Sequence, residues 1–422
     1  MKRIGWLAVF LAVITLATGC KNSGHNQNST NMRAMNAVVD AEALDILVDD
    51  AVTAAALALG STSSYSEFSS GTRDIKARSA VNGAILSDKT QALSSGLDYT
   101  LVFYGKRGAI STLLLTDDTT DPSSGKFKVR LAGLSPDAGA VDLYVVADDI
   151  SAAPATISGG GYAVVTDYAE VSAGSYRLVF AAAGTKEIIF QSAPQSFAAG
   201  AKLTVAVFPA AAGKLVNAML LTSASGVFLA NPLARVKAIN AVPDSSTLNF
   251  KADGATLLSN VPFTASSSYV TTAAGARTLQ LEASNVPGST LATLAQQLDP
   301  ARDYSAVAAN TLDNVELVTF SDDNSLPPAG FAKLRFANAR TDPAPVDVLV
   351  NFASQASGLG SKGASSYYPL AGATSYSIIF ATAGAISVIA SLDSGTLDAG
   401  GVYTAYLFGT ATAPVARLIR DR

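Results

Sequence analysis

Three pairs of acids stand five residues apart at matching places along the chain: Asp40 and Asp45, Asp137 and Asp142, Asp342 and Asp347. Two carboxylates held close together could share acid–base work or supply half of a calcium shell. Both uses need the oxygens to converge, whereas an aspartate in a turn bonds its own backbone and one opening a strand faces water. The recurrence favours the turn and strand roles, and a fourth copy carries Asn249 where the second acid belongs. Further acids stand between the repeated units: Asp117, Asp118 and Asp121, then Asp322 and Asp323. These are candidate calcium positions that would stiffen an array, and solvated linker charge is the plainer account.

The remaining chemistry-bearing residues exclude more than they support. The chain has one histidine, His25, in a polar stretch, so a Ser-His-Asp triad lacks its base. Its one cysteine, Cys20, excludes an intramolecular disulfide and any cysteine-rich zinc site. Residues 358–363 read G-x-G-x-x-G, but a strand-like segment follows where dinucleotide binding needs a helix, so this is a loop. The recurring tyrosines could stack on sugar, though their regular placement suits core packing. We assign no catalytic residue, no metal and no cofactor.

Met1, Lys2 and Arg3 precede an apolar run over residues 4–16 and then Ala17-Thr18-Gly19-Cys20, the layout of a secretory signal. The small residues before Cys20 resemble the lipobox of bacterial lipoproteins, with Leu16 one place upstream of its commonest position. That resemblance implies lipidation of Cys20, and two or more acyl chains hold a protein stably on a membrane. Lys21 stands where an aspartate would resemble an inner-membrane retention signal, which favours the outer membrane. Residues 20–30 are polar and read as a flexible tether.

The 422 residues carry a net charge of −4, only 15% of them are charged, and the basic residues are scattered. Nucleic acid wants a concentrated basic footprint, so it is excluded as a partner.

The elements that position these residues come in four copies. Residues 126–146 (KFKVRLAGLSPDAGAVDLYVV) recur around Asp45, Asn249 and Asp347, and aligning these on Asp142 gives spacings of 97, 107 and 98 residues. Each unit is domain-sized and owns a core. Each opens with a pair of strands joined by an Asp turn; in the first strand basic and apolar residues alternate, as in Lys128-Val129-Arg130-Leu131, which predicts a hairpin with its basic side outward. A Tyr-to-Gly step follows (Tyr65 to Gly71, Tyr168 to Gly174, Tyr269 to Gly275, Tyr367 to Gly372). Then comes Leu-x-x-Gly-x-x-Tyr ending at Tyr99 and Tyr403, with a variant at Tyr304. It resembles the tyrosine corner of immunoglobulin-like sandwiches; the second unit, with Leu203, must hold its corner by packing. Strand signals every 8–12 residues predict all-β units of about seven strands, with a helical turn only at residues 289–298. The expected organisation is a lipoprotein signal over 1–19, a tether over 20–30, and four immunoglobulin-like antiparallel β-sandwiches over 31–118, 126–222, 234–322 and 331–422, strung end to end.

The opening motif, a [KR]-x-[KR] strand, a Pro-Asp turn and a Val-Asp-[LV]-x-[VL] strand, resembles the tandem bacterial domain-of-unknown-function family 4397 across nearly all of residues 32–422. The resemblance implies an envelope location and no catalytic residues. The expected function is non-enzymatic binding, adhesion or scaffolding at the cell envelope, with a membrane partner through the lipid and a protein or glycan ligand. The alternatives are a carbohydrate-active or other envelope hydrolase using paired carboxylates and a calcium-stiffened adhesin. Functional differences are expected where the copies diverge, over residues 148–161 and 351–366.

Overall fold

The computed structural model describes residues 28–117, 120–210, 213–385 and 387–422. Cys20, His25 and Asp118 therefore lie outside the described residues, as do the signal and most of the tether. The architecture is all-β, and the four repeats are four sandwiches. The described helical elements are two 3₁₀ turns, Pro136–Ala138 and Leu312–Asn314. Among the described residues no helix is long and apolar enough to cross a membrane.

The first sandwich shows the plan. Its strands are β1 (Ser29–Val38), β2 (Leu44–Val48), β3 (Ala51–Leu57), β4 (Ser66–Ser69), β5 (Gly71–Ser79), β6 (Ile85–Leu93), β7 (Asp98–Lys106) and β8 (Ala109–Thr116). One sheet runs β4-β1-β7-β8 and the other β3-β2-β5-β6. Eight strands replace the expected seven, and β1 begins inside the stretch read as tether. The sheets are antiparallel except between β1 and β7, which pair in parallel, as do the counterpart strands of all four sandwiches.

The opening strands do not form a hairpin, because β1 and β2 belong to different sheets. What joins β2 to β3 is a two-residue turn with both residues at positive φ, Asp49 at 50° and Asp50 at 65°. That is the type I′ geometry that matches strand twist, and Asp253-Gly254 occupies the same place in the third sandwich. The Tyr-to-Gly step is a strand changing sheets: β4 ends at Ser69, Gly71 turns at φ 116°, and β5 continues in the other sheet. Residues 289–298 hold no helical turn; Thr290–Leu298 is a strand whose exposed and half-buried residues alternate.

The second unit extends past its expected end. Gly226–Leu229 forms a fifth strand beside Asn217–Leu221, between the expected bounds of the second and third units. Its Phe228 meets Phe208 edge-on at 5.4 Å. Much of 351–366 is likewise strand, Ala353–Leu359 and Gly363–Ala364.

Each sandwich has its own core, centred on Phe103, Phe180, Phe250 and Phe380 respectively. Two further apolar clusters lie between sandwiches. Met35, Val102 and Leu115 of the first pack with Phe208, Met219 and Leu221 of the second. Ile239 and Val307 of the third pack with Ala337, Tyr406 and Phe408 of the fourth. The sheets carrying β1 and β7 thus stack face to face in pairs, one with two and three with four, rather than end to end. Their central strands are buried on both faces, and β1 is buried at nine of ten positions.

Candidate functional site

Burying both faces of β1 places its basic side chain inside the paired interface. Arg33 is 2% exposed, and Arg130, Lys237 and Arg335 occupy the same place in the other sandwiches, all buried. The expected outward basic face is therefore corrected. Period-two alternation reports two faces, and here the basic face meets a neighbouring sandwich instead of water.

The surroundings of this residue repeat. The Arg33 Nε donates to Thr100 Oγ1 at 2.8 Å, Arg130 Nε to Thr204 Oγ1 at 2.8 Å, and Arg335 Nε to Thr404 Oγ1 at 2.9 Å. Each guanidinium lies over a tyrosine ring, Tyr65 at 4.8 Å, Tyr168 at 4.7 Å and Tyr367 at 4.8 Å, a contact worth about 2 kcal/mol when desolvated. Lys237 lies over Tyr269 at 5.2 Å. These are the tyrosines of the Tyr-to-Gly step, so they do not form a sugar-stacking surface. A Ser or Thr two residues earlier fixes each of them: Ser63, Thr166, Ser267 and Ser365 accept the N–H of Ala34, Leu131, Ala238 and Phe336 at 2.9–3.0 Å. The sequence signal of this arrangement is an [ST]-[SD]-Tyr tripeptide ending at Tyr65, Tyr168, Tyr269 and Tyr367.

The same basic residues then cross the interface. Arg33 Nη2 donates to the Thr222 carbonyl at 2.7 Å and Arg130 Nη2 to the Thr116 carbonyl at 3.0 Å. Arg130 lies 3.7 Å from Asp117. In the other pair, Arg335 bonds Asp322 and Lys237 bonds Asp421, all four groups being essentially buried. The acids are held further by Tyr65 Oη on Asp117 (2.7 Å), Tyr269 Oη on Asp322 (2.5 Å) and Ser305 Oγ on Asp322 (2.7 Å). Arg235 grips Asp303 with two bonds, 2.8 and 2.5 Å, and reaches Glu187 of the second sandwich at 3.4 Å.

The electrostatics follow from this burial. It pushes the Asp117 carboxyl up, against the opposing pull of Thr100, Tyr65 and the two arginines. It pushes the Tyr269 and Tyr406 hydroxyls up as well. Burial works against the charge of Lys237, but Asp421, Tyr406 and Asp322 around it together more than offset this and the ammonium pKa is raised.

Four of the five candidate calcium acids are described, and each has a partner of its own. Asp117 and Asp322 sit in the interfaces above. Asp121 pairs with Lys202 at 2.9 Å and Asp323 with Lys333 at 2.9 Å. Among the described residues no three His, Cys, Asp or Glu side chains stand close enough to share a metal ion.

The acid pairs are held to separate backbone donors. Asp40 accepts the Arg107 N–H at 2.6 Å and Asp137 the Leu326 N–H at 2.5 Å. Asp45, Asp142 and Asp347 accept the N–H of Ala56, Gly159 and Gly358 at 2.9, 2.7 and 2.7 Å. Those donors sit at positive φ in the neighbouring strand, where the pairing bulges. Asn249 does the same through Oδ1 to the Asn260 N–H at 2.9 Å, so an amide suffices. The backbone N–H groups of Gly384 and Gly358 hold the Asp347 carboxyl below its usual range.

The tyrosine corners are present. The hydroxyls of Tyr99, Tyr304 and Tyr403 accept the N–H five residues upstream, from Ser94, Asp299 and Asp398, at 3.2, 2.9 and 3.0 Å. In the second sandwich, Phe197 stacks on Phe127 at 4.9 Å in their stead.

Open grooves lie at corresponding places in the first and fourth sandwiches. The first, about 400 Å³, runs between β3 and the segment leading to β4, lined by Thr53, Ser61, Thr62, Ser64 and Ser66 among others. The second, about 420 Å³, lies beside Ala353–Leu359 and is lined by Ser354, Gln355, Ser357, Ser365, Ser366 and Tyr368 among others. Neither is lined by a charged side chain. The second falls within the divergent stretch 351–366; the other such stretch, 148–161, includes a fold-back whose Ile150 and Ala153 carbonyls bind Lys186 Nζ, both at 2.6 Å.

A family model described as "Domain of unknown function (DUF4397)" matches residues 30–144 and 234–345, more than half of the chain. The chain belongs to this family. Each DUF4397 match takes in one whole sandwich and runs into the start of the sandwich stacked upon it. No curated protein matches the sequence. Solved structures to which the DUF4397 chain is similar include the Bacillus anthracis TIE protein, at 10% identity over 90% of this chain and 68% of that one, TM-score 0.16. Another is the family CBM26 module CBMbc of Eubacterium rectale Amy13K, solved with maltoheptaose (13%; 46% and 96%; TM-score 0.15). A third is the pneumococcal glycogen-degrading virulence factor SpuA, at 10% identity, covering 86% of this chain and 37% of that one, TM-score 0.16. At such scores these likenesses carry no argument.

Proposed function

We propose that this protein is a non-enzymatic binding and scaffolding module of the cell envelope, held on the outer membrane by lipid on Cys20. One contrast carries the reading of its described part. The recurring carboxylates and basic side chains are engaged in holding strands and sandwiches together, as in Asp347 with Gly358 and Arg335 with Asp322. The uncharged grooves of the first and fourth sandwiches leave hydrogen-bonding side chains open to solvent. A hydrolase needs a carboxylate free to exchange protons with substrate. A binding module needs rigid, unengaged polar groups on a preorganised frame.

The anchor rests on the basic, apolar and small-residue layout ending at Cys20. The test is detergent-phase partitioning of the full chain beside Cys20→Ser. Wild type should enter the detergent phase and the variant the aqueous phase. A variant that stays with membranes removes the anchor from the account.

A further inference from the structure

We infer that the groove of the fourth sandwich is a binding site for a neutral glycan. This rests on the binding-module reading and deepens it. The groove lies between the edge strand Ala353–Leu359 and the segment entering Tyr368–Ala371. Ser354, Gln355, Ser357, Ser366 and Tyr368 all line it, and among the described residues none of their side chains makes a hydrogen bond within the protein. They supply hydroxyls, an amide and a phenol, groups that both donate and accept. A sugar's hydroxyls present the same mixture. The absence of charge from the lining disfavours sulfated, phosphorylated or uronic ligands, which would call for Arg or Lys.

Comparison with the first sandwich isolates what is particular. There Thr53 holds the place of Gln355, and its hydroxyl is already bonded to the Ile46 carbonyl at 3.1 Å. Ser66 holds the place of Tyr368. The fourth groove therefore adds a half-buried aromatic ring, set 5.8 Å from Phe336, and a free amide to the same frame. Tyr368 packs partly on the core of the fourth sandwich, and an aromatic ring beside unengaged polar groups is a usual composition of a small-ligand site.

The competing occupant is an extended peptide adding to the free edge of Ala353–Leu359. That edge is irregular: its pairing with Val346–Val350 shifts register twice, and Gly358 sits at φ 62°. Bulges of this kind twist an edge away from further strand pairing.

The test applies a panel of neutral oligosaccharides (gluco-, manno-, galacto- and N-acetylglucosamine series) to the full-length protein in detergent, followed by titration calorimetry on any hit. The expected result is binding by at least one series. Tyr368→Ala and Gln355→Ala should each raise Kd roughly tenfold, and Ser66→Ala in the first groove should leave it unchanged. Thermal melts accompany each variant; if Tyr368→Ala fails to fold, Gln355→Ala and Ser357→Ala decide. Three outcomes overturn the assignment: no neutral glycan binds, the variants bind as wild type, or a peptide strand binds and is lost in the same variants. In each case the wider envelope reading still stands or falls on the partitioning of Cys20→Ser.

Discussion

The Arg335 guanidinium of the fourth sandwich is bonded to the Asp322 carboxylate of the third, with neither side chain more than 2% exposed. Around them Tyr269 and Ser305 bind the acid, and Thr404 and the Ser321 carbonyl bind the base. A buried pair of this kind contributes little net stability by itself, because desolvation roughly cancels its attraction. The apolar side chains beside it do more, at about 1.5–3 kcal/mol for each fully buried large one such as Phe408. The pair acts chiefly on register, since any other stacking would leave a charge alone in an apolar interface.

Removing one partner should therefore cost far more than the pair is worth. Arg335→Met is expected to destabilise the third and fourth sandwiches by about 3–5 kcal/mol, the usual result of stranding a buried charge. Urea denaturation measures it, and a loss under about 1 kcal/mol contradicts the burial described here. Asp50→Asn, which breaks a pair with Lys76 whose acid is 78% exposed, is the control and should leave the midpoint unchanged.

The tyrosine corner gives a second prediction. Tyr403→Phe removes one hydroxyl that accepts the Asp398 N–H and should lower stability by about 1 kcal/mol. An unchanged denaturation midpoint would remove the corner from the account.

Much of this was legible in the sequence, and the failures share one cause. The four repeats, the tyrosine corners and the glycine turn of the Tyr-to-Gly step follow from residues such as Tyr99 and Gly71, because each serves a requirement inside its own sandwich. The fate of Arg33, Arg130 and Arg335 does not. Their alternation with Val129 or Leu334 looks the same whether the basic face meets water or a second sandwich, and only long-range stacking decides. Asp117 and Asp322 were read as linker charge for the same reason: their partners lie across the interface. Asp322 ends the third sandwich and Arg335 opens the fourth, and no local pattern announces that they pair. What distinguishes the two grooves is which of two corresponding residues, Ser66 or Tyr368, enters the flank, and a strand can carry either there.

Asp347 gives a pH prediction. Backbone N–H groups hold its carboxyl below the usual value in the folded state. The unfolded chain then binds the proton more tightly, so the stabilisation is present above the ordinary aspartate pKa and is lost as pH falls through the folded one. Asp347→Asn keeps the Oδ1 acceptor, as Asn249 does naturally, but loses the ionised form. Its melting temperature should fall less steeply than wild type on acidification, and Asp347→Ala should be the less stable variant at neutral pH. Parallel slopes for wild type and Asp347→Asn would contradict this.

The central claim is that the recurrent basic residue of the opening strand locks sandwiches in face-to-face pairs. A double-mutant cycle on Arg335→Met and Asp322→Asn, read by urea denaturation, tests it most directly. The account predicts a coupling of about 2 kcal/mol between residues of different sandwiches, whereas single effects that add to within ~0.5 kcal/mol would show that the two side chains do not meet.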